Sequence, residues 1–137
     1  MTESEKAKSY LMQVVYADES VKMKLEQIER LDALSKKCTS VMTGMPRGGS
    51  GSDFTKIRDR MIEESLECER QMQKLLDLKE DVRRKIDMIQ DRKHRVVLEM
   101  RYLNCATWES IAESIGRDVT TAHRWHGQAL KDFAKLC

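Results

Sequence analysis

The only proline of the chain, Pro46, separates two long segments in which apolar residues recur every three or four positions. Proline interrupts a helix because it lacks the backbone N–H and its ring clashes with the preceding turn. Apolar residues three or four positions apart lie on one face of a helix. The sequence therefore predicts two long amphipathic helices, from about Ser4 to Met42 and from Asp53, as the capping residue, to about Ile89.

Composition favours an all-α protein. Only 5% of the 137 residues are aromatic and 35% are charged, which suits solvated helices and is poor for a β-sandwich. Glycines concentrate between Gly44 and Ser52, so this stretch is predicted to be a flexible loop. The tetrapeptide Ala17–Ser20 interrupts the first apolar stripe, and it is compatible either with a continuous helix or with a kink or break there.

Residues 1–91 are predicted to form a long antiparallel two-helix hairpin that resembles a coiled coil. A hairpin of two helices leaves much of its apolar surface in water unless a second copy covers it. We therefore expect a homodimer that forms through the hairpin. The stripe that contains Leu75 and Val82 is the expected dimer seam.

Residues 92–137 differ in composition from the rest of the chain, and they are predicted to form a compact domain of three helices. They hold 8 basic and 5 acidic residues, all three histidines and both tryptophans. The first helix is expected over about Arg92–Leu103. The second is capped by Thr107 and ends at Gly116, and the third begins after Asp118, near Val119. A helix, a tight turn and a helix with a polar face are typical of a helix-turn-helix that enters the major groove.

Several motifs of this segment resemble the helix-turn-helix of sigma factor region 4. They are Arg101–Leu103, Thr107–Ala112, Gly116 and His126–Leu130, and together with their surroundings they cover about a third of the chain. Over nearly its full length, the layout is similar to that of phage and prophage regulators related to ArpU and RinA, which act in late gene transcription. The resemblance implies sequence-specific binding of double-stranded DNA through the third helix.

The candidate DNA-binding residues lie on or beside this third helix. Arg124 is the main candidate, because a guanidinium can bond guanine or grip a phosphate. The hydroxyls of Thr120 and Thr121 and the imidazole of His123 are candidates for base or phosphate contacts. The residues that flank them are candidates for contacts to the DNA backbone. His126 is expected at the rim of the domain. The full set is Arg101, Thr107, Thr120, Thr121, His123, Arg124, Gln128 and Lys131.

The favoured function is a transcription regulator of phage or prophage late genes in the cytoplasm of a bacterial host. The alternative is an adaptor that binds RNA polymerase or a host protein through the sigma-like domain or the hairpin, and RNA polymerase is a possible partner in either case. No nucleophile with a base and no metal triad is evident in the sequence, and the His123-x-x-His126 pair lacks further ligands at zinc spacing. We expect no enzyme activity, no cofactor, no metal and no membrane association.

Overall fold

The computed structural model describes residues 2–44 and 48–136, which form helices joined by short turns with no strand among them. The prediction of an all-α fold is confirmed. Across this described part of the chain, no helix combines the length and the apolar character that crossing a membrane requires.

Helix α1 spans Glu3–Gly44 without interruption, so the break considered at Ala17–Ser20 does not occur. Its first turn is held by a reciprocal pair of hydrogen bonds. The Glu5 N–H donates to the Thr2 hydroxyl over 3.1 Å, and the Thr2 N–H donates to the Glu5 carboxylate over 2.9 Å. This capping box satisfies N–H groups that have no partner inside a helix.

Helix α2 spans Gly48–Asp87, which corrects both predicted ends. Asp53 lies inside α2 and does not cap it, and Ile89 lies beyond its last residue. The predicted loop at Gly44–Ser52 is corrected on both sides, because Gly44 belongs to α1 and residues 48–52 belong to α2. Only residues 45–47 of that loop lie outside the described residues. Extending an existing helix adds a hydrogen bond for each residue fixed, which offsets the low helix propensity of glycine.

The chain divides into two compact units that do not follow the predicted boundary at residue 91. Unit 1 combines Met1–Ala17 with Leu75–Cys137, and unit 2 is Asp18–Lys74. The beginning of α1 and the end of α2 thus belong with the C-terminal helices. A separate DNA-binding role for residues 92–137 stays a prediction.

Within unit 2, polar contacts join α1 to α2. The Lys24 ammonium lies 2.8 Å from a Glu64 carboxylate oxygen, and the Ser20 hydroxyl lies 3.3 Å from the Gln71 side-chain oxygen. The hydrogen bond from Lys24 holds the pKa of Glu64 below its usual value. Beside these polar contacts, Val21 of α1 and Cys68 of α2 are buried.

Within unit 1, the apolar face of α1 and that of α2 are both buried. Leu11, Val14, Val82 and Ile86 have no exposed surface, and Leu75 is also buried. The prediction that Leu75 and Val82 form a seam between two copies is therefore wrong, because these side chains are already covered inside one chain.

The beginning of α1 also contacts the last helix of unit 1. Tyr10 stacks on Phe133, with 6.0 Å between ring centroids, and Phe133 is completely buried. The Tyr10 hydroxyl donates to the Asp81 carboxylate, and the Lys85 ammonium lies 4.4 Å from the Tyr10 ring centroid. Tyr10 therefore connects the first helix to both α2 and the C-terminal helices.

The C-terminal part of unit 1 contains the remaining helices close to their predicted positions. Helix α3 spans Arg92–Leu98 and continues as a π-helical segment, Glu99–Leu103. Helices α4 and α5 span Trp108–Ile115 and Val119–Ala134. The wider turns of the π-helical segment end with a hydrogen bond of 3.0 Å from the Asn104 N–H to the Glu99 carbonyl.

Replacing Leu11 by alanine is expected to lower the free energy of unfolding of unit 1 by about 3 kcal/mol, because it leaves a cavity in a close-packed site. Both tryptophans lie in the C-terminal segment, so tryptophan fluorescence during urea unfolding measures the loss although Leu11 is in α1. Met23→Ala is the control, since Met23 of the same helix is 64% exposed, and its effect should stay within about 0.5 kcal/mol. Equal effects of the two substitutions would contradict the burial of Leu11 in unit 1.

Candidate nucleic-acid interface

A small apolar cluster fixes α5 against its neighbours. Val97 of α3, Ile111 and Ala112 of α4, and Ala122 of α5 are buried together. The two alanines have the smallest apolar side chains of this cluster, so α4 and α5 can approach closely where they lie. The cluster therefore sets the position of the N-terminal half of α5.

The turn between α4 and α5 depends on one glycine and two capping residues. The Thr107 hydroxyl accepts from the Ser110 N–H over 3.2 Å at the start of α4. Gly116 ends α4 with a φ of 67°, in the left-handed region that favours glycine. The Asp118 carboxylate then accepts from the Thr121 N–H over 2.7 Å and caps α5. Hydrogen bonds from the Thr121 side chain and backbone lower the pKa of Asp118, so the cap stays ionised.

We define the α5 outer face as Thr120, Arg124, Gly127, Gln128 and Lys131. Successive members are one, three or four positions apart, a spacing that places them on one side of a helix. The side chains of Thr120, Arg124, Gln128 and Lys131 are exposed. The structure thus brings four of the eight predicted residues onto a single surface.

Two further predicted residues, Arg101 and His123, contact the Trp108 ring. The His123 ring centroid lies 4.0 Å from that of Trp108, and the Arg101 guanidinium carbon lies 4.8 Å from it. Arg101 also donates to the Ala106 carbonyl over 3.1 Å. The ring contact restrains the His123 side chain and the contact between cation and aromatic face restrains Arg101, so Trp108 positions both side chains at the edge of the α5 outer face.

The last two predicted residues, Thr107 and Thr121, have capping contacts as described above. Gln128 and Lys131, at the C-terminal end of the outer face, also have neighbours in unit 1. The Gln128 side-chain oxygen lies 3.3 Å from Nε2 of His94. Lys131 lines a shallow cavity of about 330 Å³ with Glu3, Ser4, Ala134 and Lys135. Thr120 and Arg124, in the N-terminal part of the predicted set, are exposed.

His126 is buried and does not lie at the rim, which corrects its predicted position. It is 7% exposed, and its Nε2 lies 2.7 Å from the hydroxyl of Tyr102, which is 1% exposed. Burial, together with the charges of Lys8 and Arg101, lowers the pKa of His126 to about 4. Burial raises the pKa of Tyr102 to about 12. The Tyr102 O–H therefore donates a hydrogen bond to the neutral imidazole of His126.

The spacing of α5 contained the signal for this burial. His126 lies four positions after the buried Ala122 and three before the buried Ala129, so it belongs to the apolar stripe. A second contact that the sequence did not reveal joins α3 to α5, where Nδ1 of His94 hydrogen-bonds the Asp132 carboxylate. Neither partner had a sequence signal, because they are far apart in the chain.

Within residues 2–44 and 48–136, no group of three or more His, Cys, Asp or Glu side chains lies where it could hold a metal ion. In comparisons with known proteins, the family described as "Protein of unknown function (DUF1492)" matches residues 35–134. No curated protein and no protein of solved structure matches the chain.

Replacing His126 by glutamine is expected to remove one contribution to acid sensitivity. The unfolded imidazole takes up a proton near pH 6.5, whereas the folded one stays neutral until about pH 4. The unfolded state therefore binds more protons in this window, and the wild-type protein loses stability as the pH falls through it. The free energy of unfolding of both proteins is measured by urea titration across the window, and the value for the wild type minus that for the variant should decrease as the pH is lowered from about 6.5 to about 4. Parallel pH profiles would show that His126 is not held neutral.

Proposed function

The chain belongs to the DUF1492 family of proteins of unknown function, and we propose that it is a sequence-specific regulator that binds double-stranded DNA through α5. In this proposal, α4 and α5 act as a helix-turn-helix and the α5 outer face enters the major groove. The genes it controls are proposed to be phage or prophage late genes, in line with the resemblance to regulators related to ArpU and RinA and to sigma factor region 4.

One observation carries the proposal. α5 presents an exposed hydroxyl and an exposed guanidinium, Thr120 and Arg124, one turn apart near its N-terminus, while its opposite side is fixed by Ala122 and Phe133. A helix that reads bases needs hydrogen-bonding side chains on its free side and a rigid attachment on the other. His123, whose ring contacts that of Trp108, extends the same surface.

The two long helices supply the second part of the proposal. We propose that α1 and α2 form an antiparallel hairpin through which two copies associate, so that two α5 helices read a twofold-symmetric site. Since Leu75 and Val82 are buried within unit 1, the seam must use other apolar residues. Ile62 and Leu66 of unit 2, each 55% exposed, are four positions apart on α2 and are the candidates.

Selection of binding sites from random duplexes tests DNA recognition directly. The wild-type protein should enrich a motif with twofold symmetry. Arg124→Ala should weaken binding to that motif by about ten- to a hundredfold, because one bidentate base contact is worth about 1–3 kcal/mol. Arg83→Ala, which removes an exposed arginine of α2, is the matched control and should bind like the wild type. A failure to enrich any motif would favour the adaptor that binds RNA polymerase or another protein.

Salt dependence separates these two functions further. The logarithm of the DNA affinity should fall linearly with the logarithm of the salt concentration, since each phosphate contact releases counterions. Arg124→Ala should reduce the slope by about one if this side chain contacts a phosphate. A slope near zero for the wild-type protein would contradict DNA binding as its function.

Replacing both Ile62 and Leu66 by glutamate is expected to convert a dimer to a monomer, because charged side chains would be buried at the seam without partners. Light scattering of the variant and the wild-type protein measures the change. Ser65→Glu is the control for added charge, since it places one negative charge, against two in the double variant, at an exposed position of α2 between these two residues. A variant that remains dimeric would place the seam elsewhere.

A further inference from the structure

Gly127 occupies the middle of α5, where glycine is unfavourable. In a helix interior, glycine is less favourable than alanine by about 1 kcal/mol, because it loses more conformational freedom on folding. α5 extends from Val119 to Ala134, so Gly127 lies two turns from either end and has no capping role. Its presence therefore needs another physical reason.

The structure gives no reason within the chain. Gly116 needs its glycine because its φ is positive, and among the described glycines it is the one with such a backbone. Apart from its two chain neighbours and the nearby backbone of α5, a Cβ atom built on Gly127 would meet no atom of the described residues within 4 Å. Neither backbone conformation nor close packing inside the described part of unit 1 requires glycine at this position.

The position of Gly127 on α5 suggests what approaches it. It lies three residues after Arg124 and four before Lys131, so it is in the middle of the α5 outer face. Arg124 and Lys131 carry positive charge on both sides of this position, which has no side chain and is half-buried. A glycine between two cations permits a polyanion to come closer to the helix axis than any side chain would allow.

We propose that Gly127 is the point at which the sugar–phosphate backbone of bound DNA makes its closest approach to α5. This inference rests on the proposed function and makes it more specific. Lys131 holds a phosphate beside this approach, Arg124 keeps its base contact, and the missing side chain lets the helix sit deeper in the groove. Gly127 is a positioning residue, because it sets the depth at which its neighbours reach the DNA.

The proposal is tested by enlarging residue 127 in two steps, Gly127→Ala and Gly127→Leu, and by measuring both thermal unfolding and affinity for the selected DNA site. Because alanine and leucine favour the helix, both variants should melt above the wild type, by about 4 °C for alanine. DNA affinity should change in the opposite direction. It should fall about tenfold for alanine and further for leucine, since an overpacked contact costs about 1–3 kcal/mol.

A matched control separates the position from the substitution. Ser9→Leu adds a comparable side chain at an exposed position of α1 in the same unit, and it should leave DNA affinity unchanged. Light scattering of the same variants detects an effect on association between copies.

The outcomes are distinct. Higher stability with weaker DNA binding in the order glycine, alanine, leucine supports the proposal. Unchanged or tighter binding by Gly127→Leu overturns it while the DNA-binding function stands, and so does a change of oligomeric state with unchanged DNA affinity. If the wild-type protein itself binds no DNA, the proposed function fails and the inference falls with it.

Discussion

The stacking of Tyr10 on Phe133 joins the first helix of the chain to the last, and the structure of unit 1 depends on it. Phe133 is fully buried, while Tyr10 also bonds Asp81 and contacts Lys85 on α2. α5 is therefore held at two places, by Tyr10 near its C-terminus and by the cluster around Ala122 near its N-terminus. A helix fixed at both ends presents its free face in one orientation, as recognition of a rigid partner requires.

Polar groups beneath the candidate interface are arranged so that positive charge stays at the surface. Burial lowers the pKa of His126, and the charges of Lys8, Arg101 and His123 lower it further. The imidazole is neutral and accepts a hydrogen bond from Tyr102, so no unpaired charge is buried below α5. The cationic group of Arg124 is exposed, where it can meet an anionic partner.

The sequence predicted the positions of the helices better than the contacts between them. Apolar spacing located all the helices, and the caps at Thr107, Gly116 and Asp118 follow from residue type, because capping is a local interaction. The same spacing showed that Leu75 lies on an apolar face, but it did not show which residues pack against that face. In the structure, Leu75 is buried within the same chain. Helix formation at residues 48–52 was missed because cooperative extension depends on neighbouring turns rather than on each residue's own preference.

For the candidate site, exposure of Arg124 and Thr120 was predictable from the side of α5 opposite Ala122 and Ala129. The contacts of His94, His123 and Tyr10 were not predictable, because each partner belongs to another helix.

Unit 1 combines segments from opposite ends of the sequence, which are synthesised at different times. At about 5–20 residues per second, Leu11 leaves the ribosome on the order of ten seconds before Phe133. During that interval the apolar residues at the start of α1 cannot pack against α5, and they are exposed to non-native contacts.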